Sequence, residues 1–440
     1  MKGLAAKLGL NRRELRSWAL YDFANSAFQT TIVAAVFPIY FQRVAASGLS
    51  PSLATSRYAW ATTIAICIVA IVAPLLGALA DTRKLKKPLL GMFLAVGAGA
   101  TAAMYGIQEG DWKLALILFI IGNVGVAGSI VFYESLLPHI ARGEELDRVS
   151  TAGYAIGYLG GGILLALNLA MIQQPQWFGI PDAGVATRLA FLSVAVWWVL
   201  FSWPLFKHVP EPRVAPSVAA ESAGAALAQS ARQLASTFRE LRKYRQALLL
   251  LLAFFLYNDG IQTIIRMAAI YGAEVGIDQS ALIGALLLVQ FVGVPCSFAF
   301  GALAGRIGPK KAVMIGLFAY IGILFFTYYM TTASEFYILA ASVGVVQGGT
   351  QALSRSMFAS MIPRHRSSEF FAFFGVFERY AGVMGPAIFA IMAGFGSSRS
   401  AILTLVPFFV AGILILWRVD VAAGRREAAA GEAQLGALAG

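Results

Sequence analysis

Acidic and amide side chains occur inside apolar segments of this sequence, where they could bind a charged solute. The stretch Leu20–Ile32 reads LYDFANSAFQTTI, and its polar groups recur at i, i+3, i+4 and i+7: Asp22, Asn25, Ser26 and Gln29. This spacing places them on one face of an α-helix. An ionised carboxylate inside a membrane helix costs about 2.5 to 3.5 kcal/mol on insertion scales, so Asp22 must face a cavity or a partner rather than lipid.

A second stretch, Leu256–Ile265, repeats the pattern with Leu-Tyr, an aspartate and then Gln-Thr-x-Ile. A later apolar segment carries Gln347, Gln351 and Arg355 at i, i+4 and i+8. We predict that one polar cavity is lined by the substrate-binding residues Asp22, Asn25, Gln29, Asp259, Gln262, Arg266, Gln351 and Arg355. The alternative is that these stripes only hold helices together through hydrogen bonds and ion pairs.

The mixed charges of the predicted cavity suit a zwitterion. The planar guanidinium of Arg355 or Arg266 would bind a carboxylate through paired hydrogen bonds. Asp22 or Asp259 would pair with an ammonium group. An amino acid or a related zwitterion is therefore the predicted small-molecule substrate. Because burial favours the neutral form of a carboxylate, Asp22, Glu134 and Asp259 are the predicted proton carriers, while coupling to sodium or to no ion is also compatible with the residues.

The composition identifies the elements that carry these residues as membrane helices. Of the 440 residues, 59% are hydrophobic and 13% are charged, against about 45–50% and about 25% in soluble domains. The net charge of +12 lies in short loops, which indicates membrane topology and argues against a nucleic-acid partner. The positions of the two cysteines and three histidines predict no metal site and no cofactor. Without a catalytic motif, we predict that the protein is not an enzyme.

Twelve apolar segments are each near the roughly 20 residues that a helix needs to cross the hydrocarbon core. Their predicted bounds are 17–42, 58–80, 89–107, 113–138, 151–173, 187–207, 246–272, 280–302, 312–331, 335–360, 370–393 and 398–418. Of the 34 lysines and arginines, 26 lie on the side of the termini and five on the opposite side. By the positive-inside rule, both termini are predicted to be cytoplasmic. The compact loops and short termini are typical of bacterial proteins and predict that the protein lies in the cell membrane.

The chain is predicted to have four regions. They are an N-terminal six-helix bundle over 1–207, a cytoplasmic linker over 208–245, a C-terminal bundle over 246–420 and a disordered tail over 421–440. The second part of the linker has an apolar and a basic face, which predicts an amphipathic helix on the anionic inner leaflet, and a helix packed on the bundles is equally compatible. The tail is rich in alanine, glycine and glutamate, a composition typical of disorder.

An internal duplication relates the two bundles. The sequence GALADTRKLKK (Gly77–Lys87) recurs as GALAGRIGPKK (Gly301–Lys311) at an offset of 224, and Ser135–Pro138 matches Ser360–Pro363 at an offset of 225. Because each half contains six helices, both halves have the same orientation in the membrane. The repeats are therefore parallel and related by an axis along the membrane normal.

This organisation and the loop Gly77–Lys87 resemble the major facilitator superfamily, whose signature is Gly-x-x-x-Asp followed by a glycine and basic residues. Lys84 stands where the second glycine is usual, and Gly305 replaces the aspartate in the second copy. The resemblance implies that Asp81 is held by basic residues and by the N-terminal end of a helix of the other half. We predict a conformational latch formed by Gly77, Asp81, Arg83 and Lys84. The alternative is a basic loop that only fixes topology.

Three longer motifs resemble the vacuole-effluxer-like family of that superfamily, which contains autophagy-linked amino-acid effluxers and bacterial transporters. They are YDFANSAF (Tyr21–Phe28), Gln347–Pro363 and Glu369–Pro386. The resemblance implies an all-α integral membrane protein with twelve transmembrane helices in two pseudo-symmetric six-helix bundles, with spans one, four, seven and ten around the cavity. It implies a secondary active transporter, which we predict to be monomeric and surrounded by membrane lipids. A lipid or lysolipid flippase on the same fold is the alternative function.

Overall fold

The computed structural model describes residues 9–49, 51–212, 243–274, 279–381, 384–395 and 398–439. Its α-helices, in chain order, are α1 Arg13–Ala27, α2 Val36–Tyr40, α3 Pro51–Thr82, α4 Lys86–Ala103, α5 Trp112–Ile140, α6 Glu144–Gln173, α7 Ala183–His208, α8 Arg245–Glu274, α9 Gln279–Ile307, α10 Pro309–Tyr329, α11 Ala333–Ser360, α12 Ser367–Tyr380, α13 Met384–Phe395, α14 Ser398–Leu403, α15 Val406–Arg418 and α16 Val421–Ala439. The π-helices are Phe28–Ala35 and Phe41–Ala45, and the 3₁₀ turns are Met104–Gly106, Pro175–Phe178 and Arg364–Arg366.

Each predicted span coincides with one of these helices or with an interrupted series of them. Within the described residues, ten helical stretches are long and apolar enough to cross a membrane. Large apolar side chains cover the outside of the bundle, for example Trp203 and Trp417, each 68% exposed. An apolar exterior of this kind is stable only against lipid. The predicted all-α membrane fold is confirmed, with the first, eleventh and twelfth spans interrupted.

The first span widens from an α-helix into a π-helix at Phe28. Two features of the sequence favour this change. The Thr30 hydroxyl donates to the carbonyl oxygens of Ser26 (3.1 Å) and Ala27 (3.3 Å), and therefore competes with the regular backbone ladder. Pro38, in α2, has no N–H to donate to the preceding turn. The widened stretch lies against α6, where Thr30 also donates to the carbonyl of Gly161 at 3.2 Å.

The two halves meet where α3 packs on α12 and α6 packs on α9, while α5 also packs on α12 and α11 on α6. Glycines permit the close approach. A Cβ atom at Gly77 of α3 would lie 2.8 Å from the carbonyl oxygen of Ser368 in α12. Gly301 of α9 is packed in the same way against the side chain of Thr151 in α6. Small residues at such contacts are typical of helix packing in membranes.

The terminal face is the end of the bundle where α1 begins and where α5 and α11 end. There Arg12 donates to the carbonyl of Ile140 at 2.6 Å. The prediction of a disordered tail over 421–440 is wrong, because α16 covers Val421–Ala439 and packs on this face. Glu427 accepts a hydrogen bond from the backbone N–H of Gln246 at 3.3 Å. The sequence of α16 has only a weak helical pattern, so contacts with the bundle stabilise this helix. The predicted amphipathic linker helix lies outside the described residues.

A buried charge cluster between the halves as candidate functional site

Arg355 of α11 is the centre of the candidate site. Its side chain is only 2% exposed, although it is always charged. A buried charge is stable only when it is paired and hydrogen-bonded, so Arg355 depends on its partners. Both Nη atoms lie 3.3 Å from Oδ2 of Asp22 in α1. Its Nε donates to Oγ of Ser150 in α6, and its Nη2 to the Ser150 carbonyl, each at 2.9 Å. A cation from the second half is therefore held by two helices of the first half.

A second carboxylate and a phenol complete the polar shell. Oε1 of Glu134 in α5 lies 3.7 Å from Nη1 of Arg355. The Tyr133 hydroxyl donates to Oδ2 of Asp22 at 2.8 Å. One guanidinium thus faces two carboxylates that belong to different helices, and Asp22 has more than one donor to hold it in place.

Aromatic rings enclose the guanidinium of Arg355. Its Cζ lies 4.5 Å from the ring centre of Tyr154, 5.0 Å from that of Trp18 and 5.9 Å from that of Tyr133. The rings of Trp18 and Tyr133 are stacked 4.4 Å apart. The faces of aromatic rings attract cations and exclude water, which strengthens the ion pairs inside the enclosure.

Gly153 of α6 lies directly against the ion pair. A Cβ atom there would be 2.5 Å from Oδ2 of Asp22 and 3.1 Å from Nη2 of Arg355. One turn later, a Cβ atom at Gly157 would be 2.8 Å from Oγ of Ser26. The α1–α6 contact therefore has no room for a side chain beside the charged pair.

A separate polar cluster lies inside the second half. Nε2 of Gln351 donates to Oδ1 of Asn258 at 3.4 Å, and Nδ2 of Asn258 donates to the carbonyl of Glu378 at 3.3 Å. Asp259 of α8 is fully buried, and its backbone carbonyl accepts from the Thr263 hydroxyl at 2.6 Å. This cluster connects α8, α11 and α12.

The structure thus places the predicted substrate-binding residues in more than one environment. Asp22 and Arg355 meet, whereas Gln351 belongs to the second cluster, and Asp259 is buried in α8 next to Asn258 of that cluster. Asn25 is buried and donates to the carbonyl of Tyr21 in its own helix at 2.9 Å. Two further predicted residues, Gln29 and Gln262, are partly exposed. The side chain of Arg266 lies outside the described residues.

The sequence reasoning missed Trp18, Ser150, Gly153 and Tyr154. Three of these follow each other in α6, within STAGYAIGYLGG. Ser150, Gly153 and Gly157 lie at i, i+3 and i+7, a pattern of small residues that indicates a closely packed helix face.

At the terminal face, Asp81 of α3 binds the first turn of α12. Its Oδ1 accepts from the backbone N–H of Ser368 at 3.1 Å, and its Oδ2 from that of Glu369 at 2.8 Å. Nζ of Lys86 lies 2.7 Å from Oδ1 and donates to Oγ of Ser367 at 2.6 Å. The unpaired N–H groups of a helix N-terminus attract a carboxylate in this way.

The geometry differs in one respect from the predicted latch. Gly77 and Asp81 lie at the contact between the halves, but Arg83 and Lys84 are exposed. The basic partner of Asp81 is Lys86, whose side chain is 3% exposed. Among the side chains that the structure describes, no group of three or more His, Cys, Asp or Glu residues could hold a metal ion.

Comparison with known proteins identifies the family of this chain. The family model described as "Vacuole effluxer Atg22 like" matches residues 50–429. The chain belongs to this family. It is 36% identical over 414 residues to the uncharacterized MFS-type transporter YxiO of Bacillus subtilis, covering 92% of this chain and 94% of that protein. It is 25% identical over 318 residues to Autophagy-related protein 22 of Yarrowia lipolytica, covering 65% and 52%.

Solved structures show the same fold at low sequence identity. The FucP transporter in its outward conformation superposes with a TM-score of 0.68 at 13% identity, covering 93% of this chain and 100% of that one. A bacterial homologue of the iron transporter ferroportin gives 0.68 at 14% identity, covering 92% and 99%. The family and the major facilitator fold predicted from the sequence are confirmed. The protein is a multi-pass membrane transporter, and its relatives and structural neighbours are transporters and not enzymes.

Proposed function

We propose that this member of the Atg22-like family is a secondary transporter that moves an amino acid or a related zwitterion across the cytoplasmic membrane by alternating access. The observation that carries the proposal is the buried Arg355–Asp22 pair, which joins the two halves inside an aromatic enclosure. The family name, vacuole effluxer, supports transport of a solute out of a compartment.

A zwitterion carries the two charges needed to replace this internal pair. Its carboxylate would take the place of Asp22 on the guanidinium of Arg355, and its ammonium group would bind Asp22 and Glu134. The Arg355–Asp22 pair is then replaced by pairs of Arg355 with the carboxylate and of the acidic residues with the ammonium group. No buried charge is left without a partner, which would otherwise cost about 3–5 kcal/mol. Solutes with only one of the charges would leave such a group behind.

Substrate binding would also change the contact between the halves. Arg355 and Asp22 belong to different halves, so a ligand that separates them weakens the tie that holds this end of the molecule together. A ligand shifts a conformational equilibrium only by its difference in affinity for the two states. Here the difference in affinity comes from the Arg355–Asp22 pair. This pair competes with the ligand only while the two halves are closed.

Asp22 is the proposed proton carrier. Its side chain is 14% exposed, compared with 4% for that of Glu134, so it is more accessible to water than the second carboxylate of the cluster. A protonated Asp22 would no longer attract Arg355, and the tie between the halves would weaken. Proton binding and substrate binding would therefore favour the same conformational change.

The Asp81 cluster is the proposed latch of the terminal face. With both termini in the cytoplasm, as the distribution of basic residues predicts, the conformation described here is closed toward the cytoplasm. The latch and the Arg355–Asp22 pair would then hold the same end of the transporter shut at two depths.

The test is transport of radiolabelled amino acids by purified protein in proteoliposomes. Arg355→Ala should abolish binding, and Asp22→Asn should abolish accumulation against a gradient while exchange across the membrane continues. Arg306→Ala, which removes an exposed arginine at the end of α9, is the matched control and should behave as wild type. Amino-acid binding that is unaffected by Arg355→Ala would refute the zwitterion site, and unchanged accumulation by Asp22→Asn would remove Asp22 as the proton carrier.

A further inference from the structure

A small cavity lies at the terminal face, where three separate parts of the chain meet. Its volume is about 160 Å³. It is lined by the turn after α5, by the turn after α11 and by α16. The first of these belongs to one half of the transporter and the other two to the other half, so the cavity lies across the boundary between the halves.

The cavity is strongly basic. Arg142 comes from the turn after α5, Arg364 from the turn after α11 and Arg425 from α16. Among the described residues that line it, Glu432 is the one acidic side chain. Three arginines from three elements thus line a space with one acidic residue, and their charge is only partly neutralised.

The existing contacts leave these groups available to a ligand. Arg364 Nε lies 3.8 Å from Oε1 of Glu432, beyond hydrogen-bond distance, and Oε1 instead accepts from the Arg364 backbone N–H at 3.1 Å. Nε of Arg425 donates to Oγ of Ser360 at 3.4 Å, which is a long hydrogen bond. Burial lowers the pKa of Arg364, and the nearby charge of Arg142 lowers it further, while Glu432 opposes both.

We propose that this cavity binds a phosphate-bearing anion, supplied either as free phosphate or pyrophosphate or as the headgroup of an acidic lipid. Guanidinium groups bind phosphate oxygens in pairs, and basic pockets on the cytoplasmic side of membrane proteins suit lipid headgroups. The volume holds several water molecules, each of which occupies about 30 Å³ in the liquid, and therefore a phosphate group.

An anion at this position would act on transport. It would contact Arg142 of one half and Arg364 and Arg425 of the other, so it would be bound most tightly when the halves are together. Anion binding and closure of the two halves are then coupled. The anion increases the equilibrium constant for closure by the same factor by which closure increases the affinity for the anion. This coupling is independent of the substrate at Arg355 and adds a regulatory ligand to the transporter.

The experiment uses the full-length protein, purified in detergent without acidic lipid. The midpoint of thermal unfolding is measured during titration with sodium phosphate or sodium pyrophosphate, against sodium chloride of equal ionic strength. In parallel, the protein is placed in nanodiscs of phosphatidylcholine with or without phosphatidylglycerol. A saturable increase with phosphate or pyrophosphate identifies a free anion, and an increase confined to phosphatidylglycerol identifies a lipid headgroup.

Variants assign the effect to the cavity. Arg142→Gln and Arg364→Gln should each weaken binding about tenfold or more, the range expected for loss of a charge-assisted hydrogen bond. Glu432→Gln should tighten it several-fold, because the competing carboxylate is removed. Arg426→Gln, an exposed neighbour of Arg425 that does not line the cavity, is the matched control.

Two results would overturn the proposal. One is the absence of saturable stabilisation by phosphate, pyrophosphate and phosphatidylglycerol. The other is stabilisation that is equal in the wild type and in Arg142→Gln. Arg142 is exposed, so its substitution should leave the fold intact. Neither result bears on amino-acid transport, which is measured separately at Arg355.

Discussion

The two copies of the repeated loop have kept the same packing but not the same electrostatics. In the first copy, Gly77 lies against the start of α12 and Asp81 binds its first N–H groups. In the second copy, Gly301 lies against α6, but Gly305 stands where the carboxylate would be. A Cβ atom at Gly305 would be 3.8 Å from Nη2 of Arg148. The carboxylate tie is thus present in one copy of the repeat.

A lysine in each copy has a shared structural role. Nζ of Lys87 donates to the carbonyls of Phe206 (2.9 Å) and Val209 (2.7 Å) at the end of α7. Nζ of Lys310 donates to those of Trp417 and Val419, both at 2.7 Å, at the end of α15. Each lysine is the second residue of its helix and satisfies carbonyls that a helix C-terminus leaves free. Helix capping by a lysine is therefore common to both halves. We propose that the first half alone carries the carboxylate tie that favours the closed state.

The strongest test of this asymmetry is Asp81→Ala. The variant removes the acceptor of two backbone N–H groups and leaves the buried cation of Lys86 without its ion-pair partner, so the closed state should lose about 3–5 kcal/mol. Spin labels at Lys84 and Arg426, in a background free of the two native cysteines, would report the separation of the halves by double electron–electron resonance. The distance distribution should move to longer values, and an unchanged distribution would contradict the latch.

Gly77→Ala is expected to have the second largest effect. Its methyl group would meet the carbonyl oxygen of Ser368, which is backbone and cannot rotate away, so the closed state should lose about 1–3 kcal/mol. Gly301→Ala is the matched variant in the second copy. It meets the side chain of Thr151, which can adjust, and should give a smaller shift. The same spin-label distances measure both, and equal shifts would show that the two interfaces do not differ.

Gly305→Asp should install the missing tie in the second copy. The new carboxylate would lie near the guanidinium of Arg148, and both positions are exposed, so the gain for the closed state should be about 0.2–1 kcal/mol. Narrower distance distributions and slower exchange of substrate are expected. Gly305→Asn, which adds the same bulk without charge, is the control. Identical behaviour of the two variants would rule out an electrostatic gain.

The smallest effect is a pH dependence at the terminal face. Burial lowers the pKa of His365, and the charges of Arg366 and Lys86 lower it further, while Asp81 and Glu432 oppose the shift. The closed state therefore holds the neutral imidazole. Its stability should be fully present above the ordinary histidine pKa of about 6.5 and should decrease as the pH falls below that value, because the open or unfolded state then binds a proton more readily.

This dependence can be isolated with His365→Gln, whose side chain does not titrate. The spin-label distances of the wild type should lengthen slightly between pH 7.5 and pH 5.5, an interval chosen around about 6.5. The change should be smaller in the variant. A wild-type distance that does not respond to pH, or an equal response in both proteins, would exclude His365 as the titrating group.

The sequence predicted the helices and their repeat well, because hydropathy and spacing are local properties. It also predicted that Asp22 and Arg355 face polar surroundings. It did not reveal that they bind each other, since that contact depends on how two halves far apart in the chain are docked. Lys86 replaced Arg83 and Lys84 as the partner of Asp81 for a similar reason. The direction in which each lysine side chain points depends on the conformation of the turn between α3 and α4, which cannot be predicted from the sequence alone.

The helix α16 was missed for a related reason. Its alanine- and glycine-rich residues have a weak amphipathic pattern, and its order comes from contacts with distant parts of the chain. Gly424 packs against Met361, and Gly431 packs against Tyr244. Contacts with residues so far away in the chain cannot be predicted from the sequence of residues 421–440 alone.

The order of α16 has a consequence for handling this transporter in the laboratory. Affinity tags and fluorescent proteins are commonly fused to the end of a chain on the assumption that it hangs free. Here Ser360 contacts Arg425 and the first residues of α16 follow α15 almost without a break. A bulky domain attached to α16 would therefore strain a helix that lines the boundary between the halves. A long cleavable spacer between the two would keep purification from altering the behaviour being measured.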